Sequence, residues 1–150
     1  MRVLVQRVSE ASVVVENEIR SEIGCGLVIL LGIENKDNQE DIDWLCAKIA
    51  KLRIFPDTEG IMNFSLMDTN GEALVVSQFT LHASTKKGNR PSYINAARPE
   101  VAILLYEEFV SRLTQVLGKK IETGEFGADM KVSLINDGPV SIWIDSKSKE

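Results

Sequence analysis

Ser77, Thr80 and His82, with the Gln78 amide between them, are side chains whose types could act on an ester or acyl group. Hydroxyls near an imidazole invite a nucleophile and base reading, in which the histidine takes the hydroxyl proton during attack. The segment 73–81 reads as one long buried strand, which would put Gln78, Thr80 and His82 on one face and Ser77, Phe79 and Leu81 on the other. On such a strand His82 lies roughly 7 Å from Thr80, well beyond the ~2.6–3.2 Å contact that activates a hydroxyl. His82 is the sole histidine and no carboxylate is placed to orient it, so a Ser/Thr–His–Asp triad is not supported. The expectation for His82 is a strand end or the surface. By composition alone Ser77-Gln78-Phe79-Thr80-Leu81 is ordinary strand material, since Phe, Thr and Leu suit a half-buried sheet.

A second stretch, Asn136-Asp137-Gly138-Pro139-Val140-Ser141, has the residues of a turn, and a trans Gly-Pro in a hairpin is the default for it. An X-Pro bond is also the one type in which a cis peptide costs little, about 0.5–1 kcal/mol. A cis bond at Gly138-Pro139 would turn two backbone carbonyls to one side. Between these stretches Lys86, Lys87, Arg90 and Arg98 fall in a segment without acidic residues, and Lys119-Lys120 follows further on. The segment reads either as a solvated loop or as a phosphate contact. The net charge of −5 argues against indiscriminate nucleic-acid binding, which draws its affinity from neutralised phosphates. Cys25 and Cys46 lack metal-ligand spacing, and one histidine cannot complete a Cys/His cluster, so no metal is expected. Cys46 falls on the apolar face of a helix, where a reduced, buried thiol is the expectation. Gly24-Cys25-Gly26 is not followed by a helix, so it is no phosphate loop, and no cofactor is expected.

The elements that must carry these residues can be read from periodicity. Residues 3–5, 11–15 and 26–33 read as strands of a meander with a polar turn at Glu16-Asn17-Glu18. Asp37 or Asn38 caps a helix with Ile42, Leu45, Cys46 and Ile49 on its inner face, ending near Arg53. Pro99 opens a second helix with Ala102, Tyr106, Phe109, Leu113 and Val116 on one side and Gly118 as its C-terminal cap. Residues 131–135 and 140–144 then flank the Gly-Pro turn as a hairpin, and the polar segment 146–150 is expected to be disordered. At 150 residues one domain is expected, of α+β class, mainly antiparallel sheets in a barrel-like core with two helices. No apolar run approaches the ~20 residues a bilayer requires, and Arg2 and Arg7 break up the start of the chain in a way unlike a secretion signal. A cytoplasmic protein is therefore expected.

Taken together, Ser77-Gln78-Phe79-Thr80 and Asn136-Asp137-Gly138-Pro139-Val140 resemble the D-aminoacyl-tRNA deacylases. The likeness extends over nearly the whole chain, through Met1-Arg2-Val3-Leu4-Val5-Gln6-Arg7, Lys87-Gly88-Asn89-Arg90-Pro91-Ser92 and Thr123-Gly124-Glu125-Phe126-Gly127-Ala128-Asp129-Met130. Ser141 departs from it, since the family more usually has threonine there. The resemblance implies a homodimeric hydrolase that removes D-amino acids from mischarged tRNA in translation quality control. Ser77, Gln78, Phe79 and Thr80 would form one wall of the site, and Gly138-Pro139, in cis, would enter from the other subunit. Arg7 would brace that motif, Met130 would belong to the substrate-binding side, and Lys86, Lys87 and Arg90 would meet the tRNA acceptor end. The rival readings are a related deacylase with a trans Gly-Pro bond that removes a mischarged L-amino acid, and a nonenzymatic nucleic-acid-binding module.

Overall fold

Alternating inward and outward side chains run unbroken from Arg2 to Val15, and the computed structural model, which describes residues 1–150, shows them as one strand, β1. Glu16 and Asn17 follow at φ of 51° and 65°, the mirror-image turn whose twist suits a two-residue hairpin. β2 (Glu18–Ile23) and β3 (Gly26–Gly32) then return along one edge of β1, against its far and near halves respectively. The expected meander is thus a long hairpin interrupted at Gly24-Cys25, with β1 central.

Helix α1 (Gln39–Lys51) begins where Asn38 caps it and Asp41 completes the reciprocal capping box. A small hairpin of β4 (Phe55–Pro56) and β5 (Met62–Phe64) leads to α2 (Leu66–Thr69), a third and very short helix that periodicity does not reveal. One turn of helix is too short to show a period; it is made by the Ser65 and Asp68 capping box and ended by Asn70 in the left-handed region. β6 (Glu72–Ser77) precedes a 3-10 turn, Phe79–His82. Helix α3 (Pro99–Leu117) has proline in its first turn and Gly118 at φ 67° as its cap, as expected. β7 (Glu122–Thr123) and β8 (Lys131–Asp145) complete the chain of elements.

β3, β6 and β7 are joined in parallel, while β1 pairs antiparallel with β2, β3 and β8. The sheet curls until β2 meets β7, where the Ser21 hydroxyl donates to the Thr123 carbonyl at 2.7 Å, so the barrel is nearly closed. Helices α1 and α3 cover its outside: Ile42, Leu45 and Ile49 with Phe109 and Leu113 pack on Val3, Val5, Leu27, Ile29 and Val75. Val8, Val13, Val28, Leu74 and Val76 fill the other face. No helix is long and apolar enough to cross a membrane.

Two expectations near the C-terminus do not hold. Residues 131–145 are one strand rather than a hairpin, because the continuous β1 offers a partner along their whole length. From Gln6 to Val8 is two steps on β1, while their partners Ser141 and Asn136 are five apart, so residues 137–140 loop out of the ladder. Nor is the tail free, since Ser146 is buried and its hydroxyl donates to Asp41 at 2.6 Å.

Asp41 also accepts from Lys147 Nζ at 2.7 Å and from the Asn38 amide at 2.9 Å. Burial pushes its carboxyl up, but the Lys147, Ser146 and Asn38 hydrogen bonds outweigh burial and hold it below 3.8. A carboxyl depressed by folding stabilises the protein above its unfolded value and loses that contribution as pH falls through the folded one. Asp37, which burial pushes up despite the Met1 ammonium, acts in the opposite sense, so a difference measurement is needed. Asp41→Asn is expected to lower the urea midpoint at pH 7 and to flatten its fall on acidification below 3.8. Parallel pH curves for the two proteins would contradict this.

Candidate active site

The last ladder bond of β6 is donated by the Gln78 amide to the Leu31 carbonyl at 2.7 Å. The chain then tightens, with Leu81 N donating to the Gln78 carbonyl and Ala83 N to that of Thr80. The strand expected to run to Leu81 therefore stops at Ser77, and the side-chain alternation drawn from it does not apply. His82 is not at the surface either: it is 2% exposed, against Gly32, with no partner for Nε2. Desolvation lowers its pKa despite the hydrogen bond to the Gly32 backbone, which leaves a neutral imidazole at pH 7.

Thr80 Oγ1 accepts a hydrogen bond from Gln78 Nε2. An amide donor on the oxygen makes it a poorer nucleophile and leaves the hydroxyl proton free to be donated. The amides of Phe79 and Thr80 have no acceptor within the chain, as befits the first residues of a helical turn. Two N–H groups and one hydroxyl are thus available side by side for an oxygen of a ligand.

Phe79 stands at a cleft of 430 Å³ lined also by Ser77 and Gln78, by Tyr93, Ala96, Ala97, Arg98, Pro99 and Ala102, and by Phe126 and Gly127, whereas Thr80, the next residue along, does not line it. Phe79 and Tyr93 meet edge to face, their rings 5.0 Å apart, and both remain substantially exposed. A roomier groove of 640 Å³ runs past Glu10, Glu22 and Glu72, a lining that repels an anionic polynucleotide. Tyr93 is not marked by any local signal in the sequence, and Arg98 is marked only as the last cation of the segment without acidic residues. Phe126 and Gly127 lie inside a motif that carried the resemblance, and Gly127 at φ 78° is where that loop turns.

Gly138 and Pro139 are exposed, joined by a cis peptide, and do not line this cleft. Arg7 holds the loop they sit on: Nε donates to the Asp137 carbonyl at 3.1 Å and Nη1 to the Ile54 carbonyl at 2.5 Å. Asn136 closes it from the other side, accepting from the Val140 amide at 3.0 Å and donating to Ser141 Oγ at 2.8 Å. The Ser141 hydroxyl thus keeps a partner in the absence of a threonine methyl. Met130 is outside the cleft, packed on Gly124 beside the second apolar cluster. Lys86, Lys87 and Arg90 project from a loop pinned at its base by the paired backbones of Ser84 and Ser92, and they line no part of the cleft.

The sequence profile described as D-Tyr-tRNA(Tyr) deacylase matches residues 4–145. The chain belongs to that deacylase family. A D-aminoacyl-tRNA deacylase of Bacteroides thetaiotaomicron is 63% identical over 150 residues, the full length of both chains. One from Flavobacterium psychrophilum is 65% identical, again over the whole of each. Among solved structures, a protein described as c-Myc DNA Unwinding Element Binding Protein superposes with a TM-score of 0.92 at 41% identity, over 97% of this chain and 98% of that one. A "probable eukaryotic D-amino acid tRNA deacylase" superposes with a TM-score of 0.82 at 17% identity, over 95% of this chain and 97% of that one, a likeness of fold. The deacylase profile spans the 3-10 turn and the looped-out segment of β8, the two features that stand apart in this single chain.

Proposed function

We propose that this chain hydrolyses the ester of D-aminoacyl-tRNA, releasing a D-amino acid and tRNA. The observation that carries the chemistry is the pair of unpartnered amides at Phe79 and Thr80, with the Thr80 hydroxyl beside them. An ester already activated at the tRNA 3′ end needs a water, a place for the oxyanion and correct alignment, more than a strong protein nucleophile. The two amides receive the developing negative charge on the carbonyl oxygen. The Thr80 hydroxyl aligns the attacking water, and the ribose 2′-OH of the substrate assists, since the chain supplies no base at that point. The Phe79 and Tyr93 rings give the terminal nucleoside an apolar surface, and Lys86, Lys87 and Arg90 attract the acceptor-stem phosphates.

The site is completed by a second copy of the chain. Residues 137–140 loop out of the sheet and line no part of their own cleft, and Arg7 and Asn136 hold them there. Inserted into the partner's cleft, the Gly138 and Pro139 carbonyls crowd the position of an L side chain, while a D side chain points outward. Rejection by backbone rather than by a shaped pocket accommodates many D side chains, and glycine, with no Cβ, partly escapes it.

Matched D- and L-aminoacyl-tRNA are the test: rapid hydrolysis of the D form alone is expected, and equal rates would defeat the chiral assignment. The oxyanion role has its own test, because proline at position 79 removes one N–H. Gln78, at φ −144° and ψ 80°, lies outside the helical region that a following proline disfavours. Phe79→Pro is expected to lower kcat by about 10²–10³ relative to Phe79→Ala, the effect of losing one oxyanion donor. Equal rates in the two variants would remove that amide from the mechanism.

A further inference from the structure

The guanidinium of Arg2, at the start of β1, reaches the catalytic turn, where Nη1 donates to the Leu81 carbonyl at 3.0 Å. That carbonyl takes no backbone donor, so Arg2 provides its hydrogen bond. On its other side Nε donates to Asp145 Oδ2 at 2.8 Å, and the guanidinium carbon lies 5.6 Å from the centre of the Trp143 ring. Asp145 is itself held, accepting from the Lys147 amide at 2.9 Å, and its side chain is only 14% exposed. Two of the three contacts therefore belong to β8, the strand that carries Gly138 and Pro139, and the third to the turn that carries Phe79 and Thr80. A planar fork with donors at fixed angles can satisfy both ends at once, which a lysine ammonium on a flexible stem cannot.

We infer that Arg2 is a positioning residue for deacylation, tying the turn 79–82 to β8 so that the Phe79 and Thr80 amides face the ester oxygen. The inference rests on the function proposed above. In a dimer built as described there, one guanidinium connects the turn of one site to the strand that completes the other. The two sites are thereby aligned through Arg2 as well as through the subunit contact.

The test compares Arg2→Ala, Arg2→Lys and Asp145→Asn with the wild type in D-aminoacyl-tRNA hydrolysis, with kcat and KM measured separately. Proton NMR of His82, the chain's one histidine, reports on the turn, because its ring is buried at the end of it, and Arg2→Lys and Asp145→Asn, which keep the positive charge at position 2 that bears on the ring, separate a displaced turn from a lost charge. Arg2→Ala is expected to lower kcat by about tenfold to a hundredfold, the scale of an ångström-sized misplacement, with KM within about twofold. The His82 resonances should move, Arg2→Lys should recover only part of the rate, and Asp145→Asn should fall between. Adding Asp145→Asn to Arg2→Ala should cost little more, since the two act through one contact. An unchanged kcat overturns the inference whatever the imidazole signals do. A rise in KM at constant kcat also overturns it by making Arg2 a tRNA contact, as does full activity in Arg2→Lys. If Arg2→Ala does not fold, Arg2→Lys and Asp145→Asn, which preserve side-chain bulk, decide the same question. An inactive wild type would remove the proposed function, and unmoved His82 signals in the folded variants would then remove this inference independently.

Discussion

Gly138→Val is expected to reduce kcat/KM for D-aminoacyl-tRNA by at least about a hundredfold in a protein that still folds. Gly138 sits at φ 126°, where side chains other than glycine are strained by about 1–3 kcal/mol. A Cβ there would also come within 2.9 Å of Arg7 Nη2 and of Val140 Cγ2. Relief requires the loop to shift or Arg7 to leave the Asp137 and Ile54 carbonyls, and either displaces the loop from its place. Gly138 is exposed and outside both apolar clusters, so the unfolding midpoint should fall only by what the strain of about 1–3 kcal/mol accounts for, and the greater loss should appear in activity. A misplacement of about 1 Å at a reacting centre costs on the order of 10²-fold.

Mixing Gly138→Val with Phe79→Pro extends the test to the subunit arrangement. In a heterodimer one site would combine an intact turn with an intact Gly138 loop, and the other would hold both defects. Partial recovery on mixing, under verified subunit exchange, is the expected result. No recovery would place Gly138 and Phe79 in the same subunit's site.

Gly26→Ala should be the costliest single methyl that can be added at any glycine of the chain. An added Cβ would lie 1.9 Å from the Glu72 carbonyl oxygen, with that residue's N and C at 2.7 Å, all of them backbone atoms. This is the point at which β3 begins its parallel pairing with β6, so separating the two strands would disturb the route to Ser77 and Gln78. A loss of roughly 3 kcal/mol or more, or no soluble protein, is expected. Gly24→Ala, whose Cβ would meet only the Glu72 carboxylate at 3.4 Å, is the control and should move the urea midpoint little. Similar midpoints for both variants would show that the strands part there without cost.

The helices were legible in the sequence because their ends carry local chemistry: Asn38 and Asp41 at one start, Pro99 and Gly118 at the limits of another. The strands of the long hairpin were legible by alternation, although not their order. The end of β6 was not, since Ser77 to Leu81 has the composition of a strand. Its change to a turn depends on Gly32, where an added Cβ would press on Leu81 at 2.9 Å and on His82 at 3.1 Å. That close approach joins residues distant in sequence, and no local pattern announces it. The Asn136–Pro139 segment misleads in the opposite direction, because its turn chemistry is real but is absorbed as an outward loop in a strand that β1 keeps continuous. Parallel pairing of β3 with β6 was equally hidden, since a fully buried apolar run looks the same whichever way its neighbour points. Of the candidate site residues, Ser77, Gln78 and Phe79 came from motif likeness and line the cleft, while Tyr93 and Arg98 reach it only through tertiary packing.

The pairing of β1 with β8 sets the order of events at birth. Arg2 and Asp145, joined in the finished protein, are 143 residues apart, so the first strand leaves the ribosome long before its lifelong neighbour is translated. One border of β1 stays bare throughout that interval, and closing so distant a pair is among the slowest steps that chain topology can impose. Until β8 is made, that border is a row of open N–H and C=O groups on which the strand of another copy could pair.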